Sequence, residues 1–298
     1  MKKFTKILFF AVAILAFVAC KPTEPEQQEP ELSTDPVERT VLIEQFTGQS
    51  CGNCPWGSES IRNVIEDNAR VIHIYHHVGY YEDQLTISKS KPLTYFYGTS
   101  STYAPAVMMN RKIISGSVPV MGINKLTTAR LNTQLENPSY VKIDLKTTYD
   151  AATKELTVDV SGELRREYPN AKLNVYVIQD NIIAKQYALV DETGKLVTMQ
   201  DYQTGNYTGK VDGDWYAEYN HRNTLRAVLT PNWGDAFEIE KGKFSNTYTY
   251  KIPAKITGFD TDVDNMYVVA FVADYIDSKK ENIGKCEVHN ATIKKIGQ

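Results

Sequence analysis

The stretch "TVLIEQFTGQSCGNCPWGSESIRNVIEDNARVIHIYHH", residues 40–77, changes periodicity twice. Its opening run, TVLIEQF, has the apolar density of a buried strand. PWGSESIRNVIEDN then spaces Ile61, Val64 and Ile65 along one face of a helix that ends near Asn68. RVIHIYHH returns to strand character, rich in β-branched residues. Strand, helix and strand in so short a span make a βαβ unit, with parallel strands and a right-handed crossover.

The two cysteines of this stretch lie where the first strand runs into the helix. Unpaired backbone N–H groups and the positive end of the helix dipole favour a thiolate there. Such a setting lowers a thiol pKa from ~8.5 into the range of about 3.5 to 7.5. Cys51 is therefore the expected nucleophile, and Cys54, one turn on, the expected resolving thiol. Gly52 permits the tight approach, and Pro55 suits a first helical turn because its missing N–H is not needed. A static disulfide is the plainer alternative, although closing so short a loop gains little chain entropy. A soft metal site from Cys51, Cys54 and one of His76 or His77 is a further alternative. Strand alternation puts His73 and His77 on one side and His76 on the other.

Downstream, a helix is expected within Leu85 to Gly98, interrupted or restarted by Pro92. PAVMMNRKIISG reads as two short strands about a turn at Asn110 and Arg111, and MGINKLTTARLNTQLEN as loosely helical. After Asn137 the pattern changes to alternation. YVKIDLKTTYD, KELTVDVSGEL, AKLNVYVIQD, TLRAVLT, SNTYTYKIP, MYVVAFVADY and KCEVHNATIKKI predict seven strands, for which a sandwich is the natural packing. Residues 190–223 show little periodicity and read as an excursion between strands. Cys286, alternating with Val288, reads as a small buried apolar residue. The segment GDWYAEYNHRNTLR gathers Trp215, Tyr216, Tyr219, His221 and Arg222, either a strand edge or a recognition surface.

The amino terminus fixes the compartment. Lys2, Lys3 and Lys6 precede an apolar run from Ile7 to Val18, too short for the ~20 residues that cross a bilayer. This reads as a secretory signal over residues 1–19, with cleavage expected after Ala19 and lipidation expected at Cys20. Residues 20–37 form an acidic, proline-rich tether that cannot build a core. Without the signal's three lysines, 33 − 3 = 30 basic residues face 36 acidic ones. That balance gives no electrostatic claim on nucleic acid. Outside the cytoplasm, disulfides persist.

Cys-x-x-Cys between strand and helix resembles the thioredoxin superfamily, whose cis-proline before the third strand corresponds by position to Pro105 in YAPAVMMN. Two positions differ: Ser50 stands where the superfamily has Trp, and Gln45 where it has a buried acid. Glu44, one residue earlier, faces the other side of a regular strand and stays outside the catalytic set. Lipobox, tether, EQFTGQSCGNCP, YAPAVMMNR and the strand-rich C-terminal half together resemble a family of outer-membrane lipoproteins of Bacteroides-type bacteria, related to an outer membrane protein of twenty-eight kilodaltons. The resemblance implies an α/β thioredoxin-like domain over 38–137 and an all-β immunoglobulin-like sandwich over 138–298.

The expected function is thiol–disulfide exchange on exported proteins by an outer-membrane lipoprotein, on its periplasmic or cell-surface face. Cys51 attacks, Cys54 resolves and Pro105 aligns the substrate backbone, with no dissociable cofactor. The alternative is a non-enzymatic surface, assembly or binding lipoprotein that uses the sandwich and keeps the first domain as scaffold.

Overall fold

The computed structural model describes residues 33–195 and 212–297. The signal, Cys20 and most of the tether lie outside the described residues. In chain order the elements begin with β1 (Val41–Thr47), α1 (Cys54–Ile65) and β2 (Val71–His77). A 3-10 helix over Ser88–Tyr97 leads to β3 (Ala106–Met109) and β4 (Met121–Gly122), and then to α2 (Thr128–Glu136). The remainder is strand: β5 (Val141–Asp150), β6 (Glu155–Leu164), β7 (Ala171–Gln179), β8 (Ile182–Val190), β9 (Asp212–His221), β10 (Thr224–Val228), β11 (Lys243–Lys251), β12 (Lys255–Ile256), β13 (Phe259–Asp260), β14 (Met266–Asp274) and β15 (Val288–Lys295).

The βαβ unit forms as the periodicity requires. β1 and β2 are parallel, with Ile43 opposite His73 and Phe46 opposite His76. Every residue of β1 is buried because both faces are covered, which is why its sequence is apolar without alternation. Val41 and Ile43 face α1 and α2 in a cluster with Ile61, Val107, Leu131 and Leu135. Phe46, on the opposite face, packs with Phe96 and Tyr97 of the 3-10 helix and with Met108.

The 3-10 helix replaces the helix expected within Leu85 to Gly98, and Pro92 lies inside it. Proline removes an N–H and clashes with the carbonyl four residues earlier, so α-helical continuation is penalised there. The second strand expected after Asn110 does not form at Lys112–Gly116; β4 pairs with β3 instead. Asn110 and Arg111 both adopt left-handed backbone, φ 50° and 53°. Their side chains turn back into the core: the Leu42 amide donates to Asn110 Oδ1 at 2.8 Å, and Arg111 reaches Glu44.

One eight-stranded sheet runs in the order β15-β14-β7-β10-β2-β1-β3-β4. The boundary drawn at 137/138 marks the change in strand pattern but not a break in the sheet. β10 pairs with β2 in parallel at Thr224–Tyr75 and with β7 antiparallel. The described residues form one compact unit accordingly. A three-stranded sheet, β11-β6-β5, faces β7, β14 and β15, and the core between them takes in Leu42, Ile72 and Ile74 of β1 and β2. All seven strands expected after Asn137 are present. β8, β9, β12 and β13 are additional: β8 and β9 form a hairpin inserted between β7 and β10, and each of the two pairs makes its own two-stranded sheet.

Candidate functional site

Cys51 and Cys54 form a disulfide, S–S 2.14 Å, across the entry to α1. The helix begins at Cys54, so Cys51 lies in the preceding turn, its amide bonded to the Gly48 carbonyl at 3.0 Å. The Cys54 amide donates to the Cys51 carbonyl at 3.1 Å. The Ala104–Pro105 peptide is cis. Pro105 packs against α1: a Cβ built on Gly57 would lie 2.6 Å from Pro105 Cβ, so glycine is what lets proline and helix approach. Pro105 thus packs on α1 at Gly57, one turn along from Cys54.

The expected exposed thiolate is not what this site holds. Cys51 is 3% exposed and Cys54 1%. Their cover is β8. The Tyr187 and Leu189 amides donate to the carbonyls of Gln49 and Gly52, at 2.7 and 3.0 Å, as an extra strand would. Gln186 Nε2 donates to the carbonyls of Gly48 and Cys51, both at 3.1 Å, and Gln49 Nε2 returns a bond to the Lys185 carbonyl. Tyr187 and Leu189 side chains lie over Gly52, where an added Cβ would meet Leu189 Cγ at 2.8 Å. Beside Cys54 remains a cavity of about 10 Å³, bordered by Thr47, Gln186, Tyr219 and His221. That is barely room for one water and none for a peptide.

The loop carrying the cysteines is held from below as well. Asp83 Oδ2 accepts from the Gln49 amide at 2.7 Å and from His77 Nδ1 at 2.8 Å. Burial works to raise the Asp83 pKa, but these bonds and the His77 charge outweigh it and hold the carboxyl below its ordinary value. His221 of β9 packs on His77 with ring centroids 5.2 Å apart, and burial, then the neighbouring His77, lowers its pKa to about 3. His221 therefore anchors the hairpin as a neutral ring.

The candidate metal ligands are not brought together. Both cysteines are spent in the disulfide, and His76 faces away from them, its Nε2 donating to Glu44 Oε1 at 3.1 Å. His77 is committed to Asp83 through Nδ1. Among the described residues no group of three or more such side chains is arranged to hold a metal ion. Cys286 is a buried thiol, and burial raises its pKa to about 11.

Gln45 and Glu44 point to opposite faces of β1, as alternation requires. Gln45 Nε2 donates to Ser58 Oγ on α1 at 2.9 Å. Glu44, fully buried, takes two bonds from Arg111, at 2.8 and 2.9 Å, beside the one from His76. Arg111 also donates to the Tyr176 hydroxyl and lies over the Phe96 and Phe271 rings. Glu44 is thus a structural anion between β1, β2 and β7, unavailable for proton transfer at the sulfurs. The residues missed in the sequence are those of the cover, Gln186 above all. Its position on the inward-facing alternation of Ile182, Ala184, Ala188 and Val190 is the signal that could have found it.

Comparison with known proteins adds the following. Residues 93–296 match the family described as outer membrane protein Omp28, a span that begins after the cysteine pair. No curated protein sequence matches the chain. Among solved structures, the chain is similar to HBP35 of Porphyromonas gingivalis, with TM-score 0.61 and 21% identity, covering 87% of this chain and 76% of that one. That likeness extends to the fold. A domain of the outer membrane lipoprotein Omp28 from the same organism aligns with TM-score 0.31 and 17% identity, over 53% of this chain and 89% of that one.

Proposed function

The chain belongs to the Omp28 family of outer membrane proteins, and from that premise we propose a lipid-anchored, non-enzymatic surface or assembly protein whose thioredoxin-like part is a scaffold. The carrying observation is the disulfide buried under β8, with both sulfurs bonded to each other and no space at either for a partner chain. Thioredoxin-like character is supported by the order β1, Cys-x-x-Cys, α1, parallel β2, antiparallel β3, with Pro105 against α1. An immunoglobulin-like reading of the second half is supported by β11-β6-β5 facing β15-β14-β7-β10.

Contact with partners falls to the exposed side chains of the hairpin. Trp215, Tyr216 and Ile183 are 46, 40 and 50% exposed there, and Lys185 Nζ sits 4.8 Å from the Trp215 ring. Tryptophan and tyrosine are what recognition surfaces enrich. Anchoring is assigned to Cys20, with residues 21–36 as the tether. Cys20→Ala is expected to move the protein from the membrane pellet to the soluble fraction; retention in the pellet would refute the anchor.

Thiol–disulfide exchange on exported proteins is the second reading, with Cys51 attacking, Cys54 resolving and Pro105 aligning. One observation favours it. No side chain of β8 or β9 belongs to the three large apolar clusters, although Ile182, Ala184, Ala188 and Val190 are buried beneath the hairpin, so the cover is held outside the main core. The reduction potential separates the readings: a structural disulfide lies below about −300 mV, an exchanging one well above it. The scaffold reading expects the former, and a value near about −200 mV would reverse the order of the two.

A further inference from the structure

We propose that the β8–β9 hairpin is a strap that gates the Cys51–Cys54 disulfide, which reacts with a partner dithiol only while β8 is lifted off the Gly48–Gly52 loop. This rests on the exchange reading and adds its regulation.

Three observations carry it. β8 is attached to that loop edge-on, by the Tyr187 and Leu189 amides and the Gln186 carboxamide, and joins neither large sheet. Its side chains are absent from the apolar clusters that hold the rest together. Both feet of the hairpin are asparagines in left-handed backbone, Asn181 at φ 58° and Asn223 at φ 39°. They stand beside firm attachments: the Tyr75 amide of β2 bonds the Asn223 carbonyl at 3.0 Å, and the Asp180 amide bonds the Asn265 carbonyl at 2.8 Å. A two-stranded arm held outside the main core, with a turn residue at each foot, can swing as a unit, because few backbone angles must change.

With the strap lifted, the chemistry balances without a cofactor. A thiolate of the dithiol attacks Cys51 Sγ, forms a mixed disulfide and releases Cys54 as thiolate, which takes up a proton. The partner's second thiolate then attacks its own sulfur in the mixed disulfide and releases Cys51, which is protonated in turn. Two electrons and two protons have passed to the pair, and the dithiol leaves as a disulfide. With the strap closed, Gln186, Tyr187 and Leu189 stand between Cys51 and any incoming sulfur.

The test compares two rates on the wild-type protein. Hydrogen exchange gives the protection of the Tyr187 and Leu189 amides; dithiothreitol reduction gives the lag relative to an unfolded peptide containing the same Cys-x-x-Cys. The two factors are expected to agree within about threefold, since one opening controls both. Weakly protected amides beside a large lag would overturn the strap. In Gln186→Ala, loss of the two hydrogen bonds to the cysteine loop should raise both rates together by about tenfold, while β14 amides stay protected. Faster exchange with unchanged reduction would overturn the proposal equally. Should the rates agree while the reduced protein fails to reduce a peptide disulfide, the strap stands and the exchange reading falls.

Discussion

Glu44→Ala is expected to lower the unfolding free energy by about 3–5 kcal/mol, the loss seen when one partner of a buried ion pair is removed. Glu44 is 0% and Arg111 2% exposed, and the guanidinium spends two donors on the carboxylate. Truncation leaves Arg111 charged among Phe96, Phe271 and Tyr176 with only a hydroxyl to compensate it. Replacing Glu44 and Arg111 together by leucine and methionine should be far milder, because no lone charge remains. Urea unfolding of the two single variants and the double gives the coupling directly.

The same pair sets an acid limit. Burial acts to raise the Glu44 pKa, but the Arg111 charge and the bonds from His76 and Arg111 prevail and hold it at about 2, against an ordinary 4.5. A depressed carboxyl pKa stabilises the fold fully above its unfolded value, and that contribution drains as pH falls from about 4.5 toward about 2. Unfolding followed between pH 6 and pH 2 should therefore show a loss in the wild type that Glu44→Gln lacks.

Gly162→Ala is expected to destabilise by about 3 kcal/mol, at the upper end of the range for overpacking. Gly162 stands near the end of β6, paired with Ile143 on one side and Phe244 on the other. A methyl group there would press on the Lys142 carbonyl, which is backbone and cannot yield, and come within 2.6 Å of Phe244 Cζ. The three-stranded sheet would have to part from β5 or β11 to admit it. Gly122→Ala is the control, since its added carbon meets only Asn124 Oδ1, at 3.2 Å. Thermal melts of the two variants should differ by several degrees; equal melts would mean that β6 is looser than its register implies.

Much of the architecture was legible because side chains on covered strands and helices carry their burial in their chemistry. TVLIEQF and RVIHIYHH read as covered strands, and Pro105, placed by position alone, does pack against α1. Three features escaped, each for a physical reason. The continuity of the sheet across the halves rests on pairing between β2 and β10, a backbone contact with no side-chain signature, although Leu42, Ile72 and Ile74 share the second half's core. The hairpin turns Ala184, Gln186 and Ala188 inward, so its alternation is faint in hydropathy although the burial pattern is regular. And the closure of the disulfide depends on residues 135 to 138 positions away in sequence, a distance at which local spacing is silent. Cys-x-x-Cys ahead of a helix specifies the chemistry a sulfur can do, while access to that sulfur is decided by tertiary contacts.

The most direct test of the sealed disulfide is to hold the native protein with dithiothreitol, quench with iodoacetamide and weigh the intact chain. Burial under β8 predicts a mass unchanged at Cys51 and Cys54 over times short against the opening of β8, and rapid alkylation of both once denaturant is added. Prompt alkylation of both in the folded protein would contradict the account.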